Sequence, residues 1–569
     1  MPTMMKTSPT TASQGPTTRE TGRFAWCWGA FIAFGLLVLS ISAGRSYSRD
    51  EPGPLALRDV SAESGLDFRY DNGSRGRHDL PEIMGGGLAL IDFDGDGLLD
   101  VFLTNGGPIV PAPGRDDPPC RLFRNLGACR FQDVSAQAHA PGPPYAMGCA
   151  VGDYDGDGRD DLFVTGWRDQ RLYRSLGGRF EDVTKAVGLS SDLWSTSAAF
   201  ADLDGDGDLD LYVCNYVDYD PLKSPFCAAP DGRRDYCGPE DFAAQPHRLY
   251  RNDGGRFTDV SKALGDWRGR GLGVLIADLT GDHRPDMFVV NDGDPCRLLA
   301  NRRNWDFDEV GATAGLALDG EGRPLAGMGV ALGDVDGDGR SDLLVGNLFG
   351  RSTVAFQALG RGLFRDASSA LGLAIATRDV TGFGLALVDI NGDGLMDLLQ
   401  ANGHVLDRER LGVPFAMRPI VMRNEGSKLV RATSDWERKR TLGRGLAIGD
   451  IDNDGRPDVI MTSLDSAPLV LRNESAGNWR TVCLEGPSAN GARVWATIGQ
   501  RVLVREVHGG GSYLSASERS MHFRERDDGP LKKIVVRWPT GRSEEWHDFG
   551  QERRVRLIEA TGRATTPPD

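Results

Sequence analysis

The sequence predicts an all-β protein: a seven-bladed β-propeller with a small C-terminal β domain, preceded by an N-terminal hydrophobic segment. A nine-residue acidic loop related to DxDxDGxxD occurs seven times, its starts lie 49 to 76 residues apart, and apolar strand-like segments flank each copy. Repeats of that length are typical of propellers and solenoids. The 75 glycines also suit a chain of turn-dense β repeats.

Each acidic loop has the composition of a calcium site, because Ca²⁺ takes six to eight oxygen ligands in flexible geometry. In the first loop the expected ligands are Asp92, Asp94, Asp96, the carbonyl of Leu98 and a bidentate Asp100. An EF-hand is excluded, because it needs a glutamate at position 12 and a helix on each side. A single loop is equally consistent with a metal-free Asp/Gly hairpin, but seven copies in one register favour calcium.

The other six loops place predicted ligands at the same positions 1, 3, 5, 7 and 9. Up to seven Ca²⁺ are therefore expected. The loop that begins at Asp278 is expected to bind most weakly, because Thr280 replaces a carboxylate and His283 replaces a glycine. The predicted ligands in these six loops are Asp153, Asp155, Asp157, Arg159, Asp161, Asp202, Asp204, Asp206, Asp208, Asp210, Asp278, Thr280, Asp282, Arg284, Asp286, Asp334, Asp336, Asp338, Arg340, Asp342, Asp389, Asn391, Asp393, Leu395, Asp397, Asp450, Asp452, Asp454, Arg456 and Asp458.

Four strands are predicted in each repeat: a glycine-rich strand before the acidic loop, a second strand after it, and two more before the next repeat. Glycines in the first strand suit blades whose backbones converge on a narrow axis. The seventh repeat lacks a fourth strand, and the matching segment stands before the first loop at residues 57–61. We therefore expect the N-terminal strand to close the ring of blades.

These repeats resemble the FG-GAP or VCBS repeats of integrin α-chain propellers. The tail resembles an ASPIC/UnbV domain through IVVRWPTGR at 534–542 and VHGGGSYLS at 507–515. Together, over about residues 55–550, they resemble bacterial relatives of cartilage acidic protein. The resemblance implies a propeller at 57–476 and an ASPIC/UnbV domain at 477–558, with a C-terminal tail at 559–569.

The N-terminus is divided into a tail at 1–23, an uncharged and mostly apolar segment at 24–43 and a linker at 44–56. The apolar segment has the length of a membrane anchor, which favours anchoring, but small residues near its end also allow a cleaved signal peptide. Calcium sites and cysteine usage favour an extracytoplasmic location, in the periplasm or at the cell surface. Cys227 and Cys237 flank a short polar loop and are predicted to form a disulfide, whereas Cys120 and Cys129 are a less favoured second pair.

The longest insertions follow the second strand of a blade, at 106–119, 216–246 and 403–418, and so lie on the face opposite the acidic loops. Tyr219 and Tyr236 in the second insertion are candidate ligand-binding residues, with packing of their own loop as the alternative. Asn402 and His404 are candidates at the mouth of the axial channel, where turn support is the alternative for the asparagine.

The net charge of −16 is explained by 26 carboxylates at ligand positions, and seven Ca²⁺ would reduce it to about −2. A nucleic-acid partner is not expected, because no basic stripe is present. No known catalytic motif occurs, so catalysis is left open and judged the weaker option. The leading hypothesis is a recognition or adhesion module for a protein or glycan. The alternative is an extracytoplasmic enzyme acting on carbohydrate or a secondary metabolite.

Overall fold

The computed structural model describes residues 55–110, 118–229, 231–525 and 529–568, and these residues belong to one compact unit. The predicted N-terminal tail and hydrophobic segment lie outside the described residues. Helices in the described part are three or four residues long, and none of them qualifies as a membrane span. They are Ser61–Ser64, Leu80–Ile83, Ser135–Ala138, Pro239–Asp241, Ser261–Leu264, Gly311–Ala314, Leu373–Ala376, Glu409–Leu411, Trp436–Arg438 and Pro487–Ala489.

Seven antiparallel sheets of the propeller each contain one acidic loop, and we number the blades by that loop. Within every blade the acidic loop connects the first two strands. The strands are Leu88–Ile91, Asp100–Leu103, Arg121–Asn125 and Phe131–Asp133 in blade one; Ala146–Gly152, Asp161–Gly166, Gln170–Ser175 and Phe180–Asp182 in blade two; Ser195–Ala201, Asp210–Asn215, Arg248–Asn252 and Phe257–Asp259 in blade three; Gly271–Ala277, Asp286–Asn291, Arg297–Asn301 and Phe307–Glu309 in blade four; Val330–Gly333, Asp342–Val345, Val354–Gly360 and Leu363–Asp366 in blade five; Gly382–Val388, Asp397–Asn402, Ile420–Asn424 and Leu429–Arg431 in blade six; and Gly443–Gly449, Asp458–Ser463, Leu469–Asn473 and Leu57–Asp59 in blade seven.

The ring closes as the sequence predicts. Strand Leu57–Asp59 pairs antiparallel with Leu469–Asn473, so the start of the described chain supplies the outer strand of blade seven. The first strands of neighbouring blades contact one another in an unbroken circle. Seven apolar clusters fill the spaces between adjacent blades, one for each neighbouring pair. The core is thus distributed around the ring.

The C-terminal domain contains two sheets around its own apolar core. Its last strand, Arg563–Ala564, pairs with Ser543–His547, so the domain continues into the segment predicted to be a C-terminal tail. The strands are Asn478–Glu485, Ser520–Glu525 and Arg554–Ile558 in one sheet, and Arg493–Ile498, Arg501–Glu506, Leu531–Arg537, Ser543–His547 and Arg563–Ala564 in the other.

Residues 509–518 of this domain, here called the axial segment, enter the centre of the propeller. Its strand Gly509–Gly510 pairs with the first strand of blade four. Further along, Leu514 O accepts a hydrogen bond from the Cys149 N–H at 3.1 Å, and Ser512 Oγ donates to Leu446 O at 2.7 Å. A Cβ added to Gly87 would lie 1.6 Å from Leu514 O. Glycine is required there because the axial segment occupies the space beside the first strand.

The other side of the axis is covered by the 3-10 helix Leu80–Ile83. Tyr513 of the axial segment donates a hydrogen bond to Met84 O at 3.1 Å, so the axial segment and the residue after this helix are in contact. Arg444 is fully buried beside them, and its guanidinium donates to Ile83 O at 2.8 Å. The centre of the propeller is therefore packed with its own chain. The sequence analysis, which treated the channel mouth as a candidate site, did not anticipate this.

Candidate metal centres and the opposite face

All seven acidic loops form the same turn, in which the first aspartate accepts hydrogen bonds from the backbone of its own loop. In loop one, Asp92 Oδ1 accepts from the N–H groups of Gly95 at 2.9 Å and Asp96 at 3.1 Å. Asp92 Oδ2 accepts from Gly97 at 2.9 Å, and the bond from the sixth residue to the first aspartate recurs in every loop. Gly95 and Gly97 have φ of 76° and 84°, which glycine adopts without steric penalty. The bend is thus specified by local sequence.

The ninth residue is an aspartate in every loop, and it is buried behind the turn. Asp210 is fully buried; its Oδ2 accepts from the Leu203 N–H and its Oδ1 from the Asn252 N–H, both at 2.9 Å. The same two bonds, to the second loop residue and to the third strand, recur in all seven blades. The ninth aspartate therefore has a structural role whether or not it also binds metal.

An asparagine at the end of the third strand joins neighbouring loops, a role that the sequence analysis missed. Asn125 Nδ2 donates at 2.8 Å to Leu99 O in its own loop and at 2.8 Å to Ile451 O in the loop of blade seven. The asparagine recurs at this position of the repeats, which could have indicated a common role. Its hydrogen-bond partner belongs to another repeat, however, so the sequence of one repeat does not show the contact. The equivalent residues that reach the preceding loop are Asn252, Asn301, Asn424 and Asn473.

The loop carboxylates converge closely enough to share one cation. In loop one, an oxygen from each of Asp92, Asp94 and Asp96 lies within 4.8 Å of the others. Two oxygens bound to the same Ca²⁺ at 2.3–2.6 Å are at most about 5 Å apart. A donor set of carboxylates and one backbone carbonyl therefore fits a hard divalent cation. Loops two and three contain comparable clusters, from Asp153, Asp155 and Asp161 and from Asp202, Asp204 and Asp206.

On the opposite face, Tyr219, one of the candidate ligand-binding residues, does not face solvent. Tyr219 is 1% exposed, and its hydroxyl donates to Asp79 Oδ1 at 2.6 Å. Tyr236 is half-buried and donates to Glu82 Oε2 at 2.8 Å. The insertion folds back over residues 78–84, so its tyrosines fill that contact instead of facing solvent. Burial raises the pKa of Glu82 above its usual value.

Asn402 and His404 support a turn in the third insertion. Asn402 Nδ2 donates to Arg418 O at 2.8 Å, and His404 Nδ1 accepts from the Leu406 N–H at 2.9 Å. His404 is 8% exposed, and burial lowers its pKa. Both side chains are thus engaged within their own loop, in agreement with the turn-support alternative for Asn402.

Three of the exposed apolar side chains of this face lie at the tips of the second and third insertions. Leu222 is 80% exposed, Phe226 64% and Leu411 67%. An ion pair between Arg408 and Asp235 joins the two insertions. We call Leu222, Phe226 and Leu411 the insertion tips.

Comparison with protein families identifies both parts of the chain. The model of the FG-GAP-like repeat matches residues 92–164, 153–213, 278–345 and 334–399, and the model described as ASPIC and UnbV matches 485–564. The chain is an FG-GAP-repeat protein with a C-terminal ASPIC and UnbV domain. The resemblance seen in the sequence is confirmed.

Cartilage acidic protein 1 is a curated relative of this FG-GAP protein. The human protein is 27% identical over 297 residues, which cover 50% of this chain and 42% of the relative. The mouse protein is 28% identical over 287 residues, covering 48% and 42%. The match thus spans less than half the length of these relatives.

Solved structures with a similar arrangement include an Agrocybe aegerita lectin, described as recognising non-reducing terminal N-acetylglucosamine. It is 18% identical, with a TM-score of 0.38 over 66% of this chain and 85% of the lectin. An exotype rhamnogalacturonan lyase is 14% identical, with a TM-score of 0.28 over 68% of this chain and 89% of the lyase.

The ASPIC and UnbV domain lies against the acidic loops of blades four to seven. Its arginines face the first aspartate of loops four, six and seven: Arg537 lies 3.7 Å from Asp278 Oδ2, Arg505 3.8 Å from Asp389 Oδ2 and Arg554 3.9 Å from Asp450 Oδ2. In loop five, Arg493 donates to a backbone carbonyl, that of Gly339. Among the described residues, the first aspartates of loops one to three have no such arginine. The domain also reaches loop two, where Arg519 pairs with Asp160, but there it does not face the first aspartate.

The buried carboxylates of the loops are costly to ionise without metal. Burial raises the pKa of Asp100, Asp161 and Asp210 from 3.8 to about 8. Neighbouring carboxylates in the same loop raise it further, while the backbone N–H bonds oppose the shift. In the metal-free protein these ninth aspartates therefore retain protons near neutral pH.

We expect metal-free protein to lose thermal stability as the pH rises from about 5 to about 8. A carboxyl with a higher pKa in the folded state binds its proton more tightly there, so it favours folding at low pH and loses this contribution as it ionises near pH 8. Calorimetric melting of chelated, desalted protein across this range measures the effect. A calcium-saturated sample, in which metal replaces protons, should show a smaller fall. A metal-free melting temperature that climbs with pH would contradict the argument.

The predicted disulfide is present: Cys227 and Cys237 are bonded, and they hold the ribbon of Cys227–Ala228 and Arg234–Asp235 in the second insertion. The less favoured pair is not formed, because Cys120 and Cys129 are both free and buried. Cys120 packs in the core between blades one and two, whereas Cys129 packs against blade seven, so the two thiols face different neighbours.

Proposed function

We propose that this protein is an extracytoplasmic calcium-binding β-propeller that acts as a recognition or adhesion module for a protein or glycan. The observation that carries the proposal is the common cradle of the seven acidic loops, whose first aspartate is oriented by the same backbone bond in every blade. Oriented carboxylates with a carbonyl at position 7 are the ligands that Ca²⁺ prefers.

The structure supports unequal affinity among the sites. Thr280 in loop four brings no carboxylate, and its Oγ1 is buried without a hydrogen-bond partner among the described residues. Arginines at 3.7–3.9 Å from the first aspartate of loops four, six and seven lower the attraction for a cation by Coulomb repulsion. Arg124 and Arg174 pair in the same way with predicted ligands of loops one and two. Loop three, whose predicted ligands form no ion pair among the described residues, is therefore the strongest calcium site in this proposal, and loop four the weakest.

Calorimetric titration of chelated protein with calcium tests this ranking. The expected isotherm has a tight step attributable to loop three, followed by weaker binding. An Asp204→Asn variant should remove the tight step, whereas Thr280→Val should leave it unchanged. Seven equal sites would contradict the ranking, and no binding at all would contradict the calcium proposal.

An extracytoplasmic location is supported by three features. The Cys227–Cys237 disulfide is stable in an oxidising compartment. Sites of this kind suit the higher calcium concentrations outside the cytoplasm. The similarity to cartilage acidic protein 1 points the same way. In this proposal residues 24–43 serve as a membrane anchor or signal segment.

Recognition is assigned to the insertion tips. They lie on the face opposite the calcium loops, and exposed apolar side chains on loops held by a rigid scaffold are typical of interaction surfaces. Arg234 lies over the Phe226 ring, with its guanidinium carbon 6.0 Å from the ring centroid. The tips therefore offer apolar area bordered by charge, which suits a protein surface or the apolar face of a sugar.

We expect the triple variant Leu222→Ala, Phe226→Ala and Leu411→Ala to lose binding while its melting temperature stays within about a degree of wild type. Each of the three side chains is more than 60% exposed, so truncation removes little core packing. Leu126→Ala, at a 51% exposed leucine on the calcium-loop side, is the matched control. Binding is measured on a glycan array and on a panel of purified matrix proteins. Undiminished binding by the triple variant would remove the tips from the site, and release of a sugar product would favour the enzyme alternative.

A further inference from the structure

Loop seven differs from the other acidic loops because a cysteine from blade one packs against it. Cys129 lies in the turn between the third and fourth strands of blade one and is 1% exposed. Its thiol faces Asp458 Oδ2 at a sulfur-to-oxygen distance of 3.9 Å. One ligand atom from each of Cys129, Asp452 and Asp458 lies within 4.8 Å of the others. A sulfur donor therefore joins the carboxylates of this loop.

The same turn in blades two and three carries a glycine at this place. A Cβ added to Gly178 would lie 3.8 Å from the Asp94 Cβ in loop one, and one added to Gly255 would lie 3.6 Å from the Asp155 Cβ in loop two. The turn thus places this residue beside the third position of the preceding acidic loop. Cys129 has φ of 55°, a conformation that suits glycine, so the cysteine stands where the repeat otherwise uses the smallest residue.

A second observation at loop seven also points to a missing ligand. The Asp452 side chain is 3% exposed, and its Oδ2 is paired with Arg472 Nε at 2.7 Å. Its Oδ1 is buried and has no hydrogen-bond partner among the described residues. Leaving a buried carboxylate oxygen unsatisfied is costly. A cation bound between Asp452, Asp458 and Cys129 would satisfy that oxygen without disturbing the pair with Arg472.

We propose that loop seven is a mixed oxygen and sulfur site that takes a thiophilic divalent cation of the zinc and cadmium class, with Cys129 as a ligand. Thiolate ligands select such cations, whereas loops with oxygen donors alone suit calcium. On binding, the Cys129 S–H bond breaks, its proton passes to solvent and the sulfur–metal bond forms, with no change of oxidation state. The inference rests on the proposed metal binding by the loops, and it changes the metal at one of them.

Cobalt(II) reports on the site, because a thiolate ligand gives a charge-transfer absorption band in the near ultraviolet. Metal-stripped, full-length protein with its disulfide intact should develop this band and saturate it at one equivalent. Cys129→Gly, which restores the residue of blades two and three, should lose the band. Cys129→Ser, which keeps the side-chain size, should also lose it. Cadmium affinity of this site should fall at least about tenfold in both variants.

Cys483→Ser is the matched control for a second thiol near loop seven. Arg554, which faces Asp450, donates to the Cys483 sulfur at 3.0 Å, so Cys483 is the nearest alternative source of a thiolate band. The band should persist in this variant. Its absence from wild type, or its retention in both Cys129 variants, would overturn the assignment. Parallel calcium titrations keep the two proposals apart: calcium binding without a cobalt–thiolate band refutes only the sulfur site, whereas absence of both refutes metal binding by the loops.

Discussion

Removing calcium is expected to lower the melting temperature of this protein by on the order of ten degrees. A ligand that binds only the folded state, present at a hundred times its dissociation constant, stabilises it by about 2.7 kcal/mol per site. Three such sites contribute about 8 kcal/mol. For a large domain each kcal/mol corresponds to roughly one to a few degrees.

Electrostatic repulsion within the loops acts in the same direction. Loop three is the most sensitive, because no ion pair among the described residues involves Asp204 or Asp206, whereas Arg124 neutralises Asp94 and Asp96 in loop one at 2.7 and 2.9 Å. Without metal, the carboxylates of loop three repel one another, and no arginine among the described residues forms an ion pair with them. Local opening of blade three should therefore precede global unfolding, and hydrogen exchange can detect it.

Scanning calorimetry in excess chelator, in excess calcium and after calcium is returned to the chelated sample measures the effect. Recovery of the melting temperature on adding calcium back excludes irreversible damage during stripping. Coincident melting curves in all three samples would show that the loops are ordinary turns.

Much of the fold could be predicted because the decisive signals are local and repeated. The acidic loop contains its own hydrogen-bond acceptor and its own glycines. The conformation of the turn can therefore be predicted from nine residues of sequence. The strand at 57–61 could be assigned to blade seven because a repeat was visibly incomplete. The Cys227–Cys237 disulfide is likewise a local feature, because its partners are separated by only ten positions in the sequence.

Features that depend on distant partners could not be predicted in this way. Tyr219 is buried against a distant part of the chain, where Asp79, 140 residues earlier, accepts a hydrogen bond from its hydroxyl. The axial segment was recognised as a motif at 507–515, but nothing in that motif indicates that it enters the propeller. The available hint was the glycine content of the first strands, since Gly87 would collide with Leu514 if it had a side chain. The sequence analysis attributed those glycines to the convergence of the blades alone.

Aspartates of the same loop have different roles, and we expect a second large effect on stability from substituting the ninth one. Asp210→Ala is expected to destabilise the chelated protein by about 2–6 kcal/mol, because two buried N–H groups, of Leu203 and Asn252, each lose their acceptor at about 1–3 kcal/mol. Asp204→Ala in the same loop should cost the chelated protein less, because the Asp204 carboxylate there accepts from the Asp206 N–H, at 3.2 Å, and from the Trp305 side chain, and it also suffers repulsion from Asp206.

With calcium present, both variants should fall further below wild type by about the same amount, because each also loses the contribution of the loop-three site. The difference between the two variants should therefore remain. Denaturant unfolding of wild type and both variants, with calcium and with chelator, gives the four differences needed. A large loss in Asp204→Ala without metal would assign it a structural role that its contacts do not show. An Asp210→Ala variant as stable as wild type in chelator would mean that the ninth aspartate acts only through metal. The fold would then depend on calcium to hold each loop against its third strand.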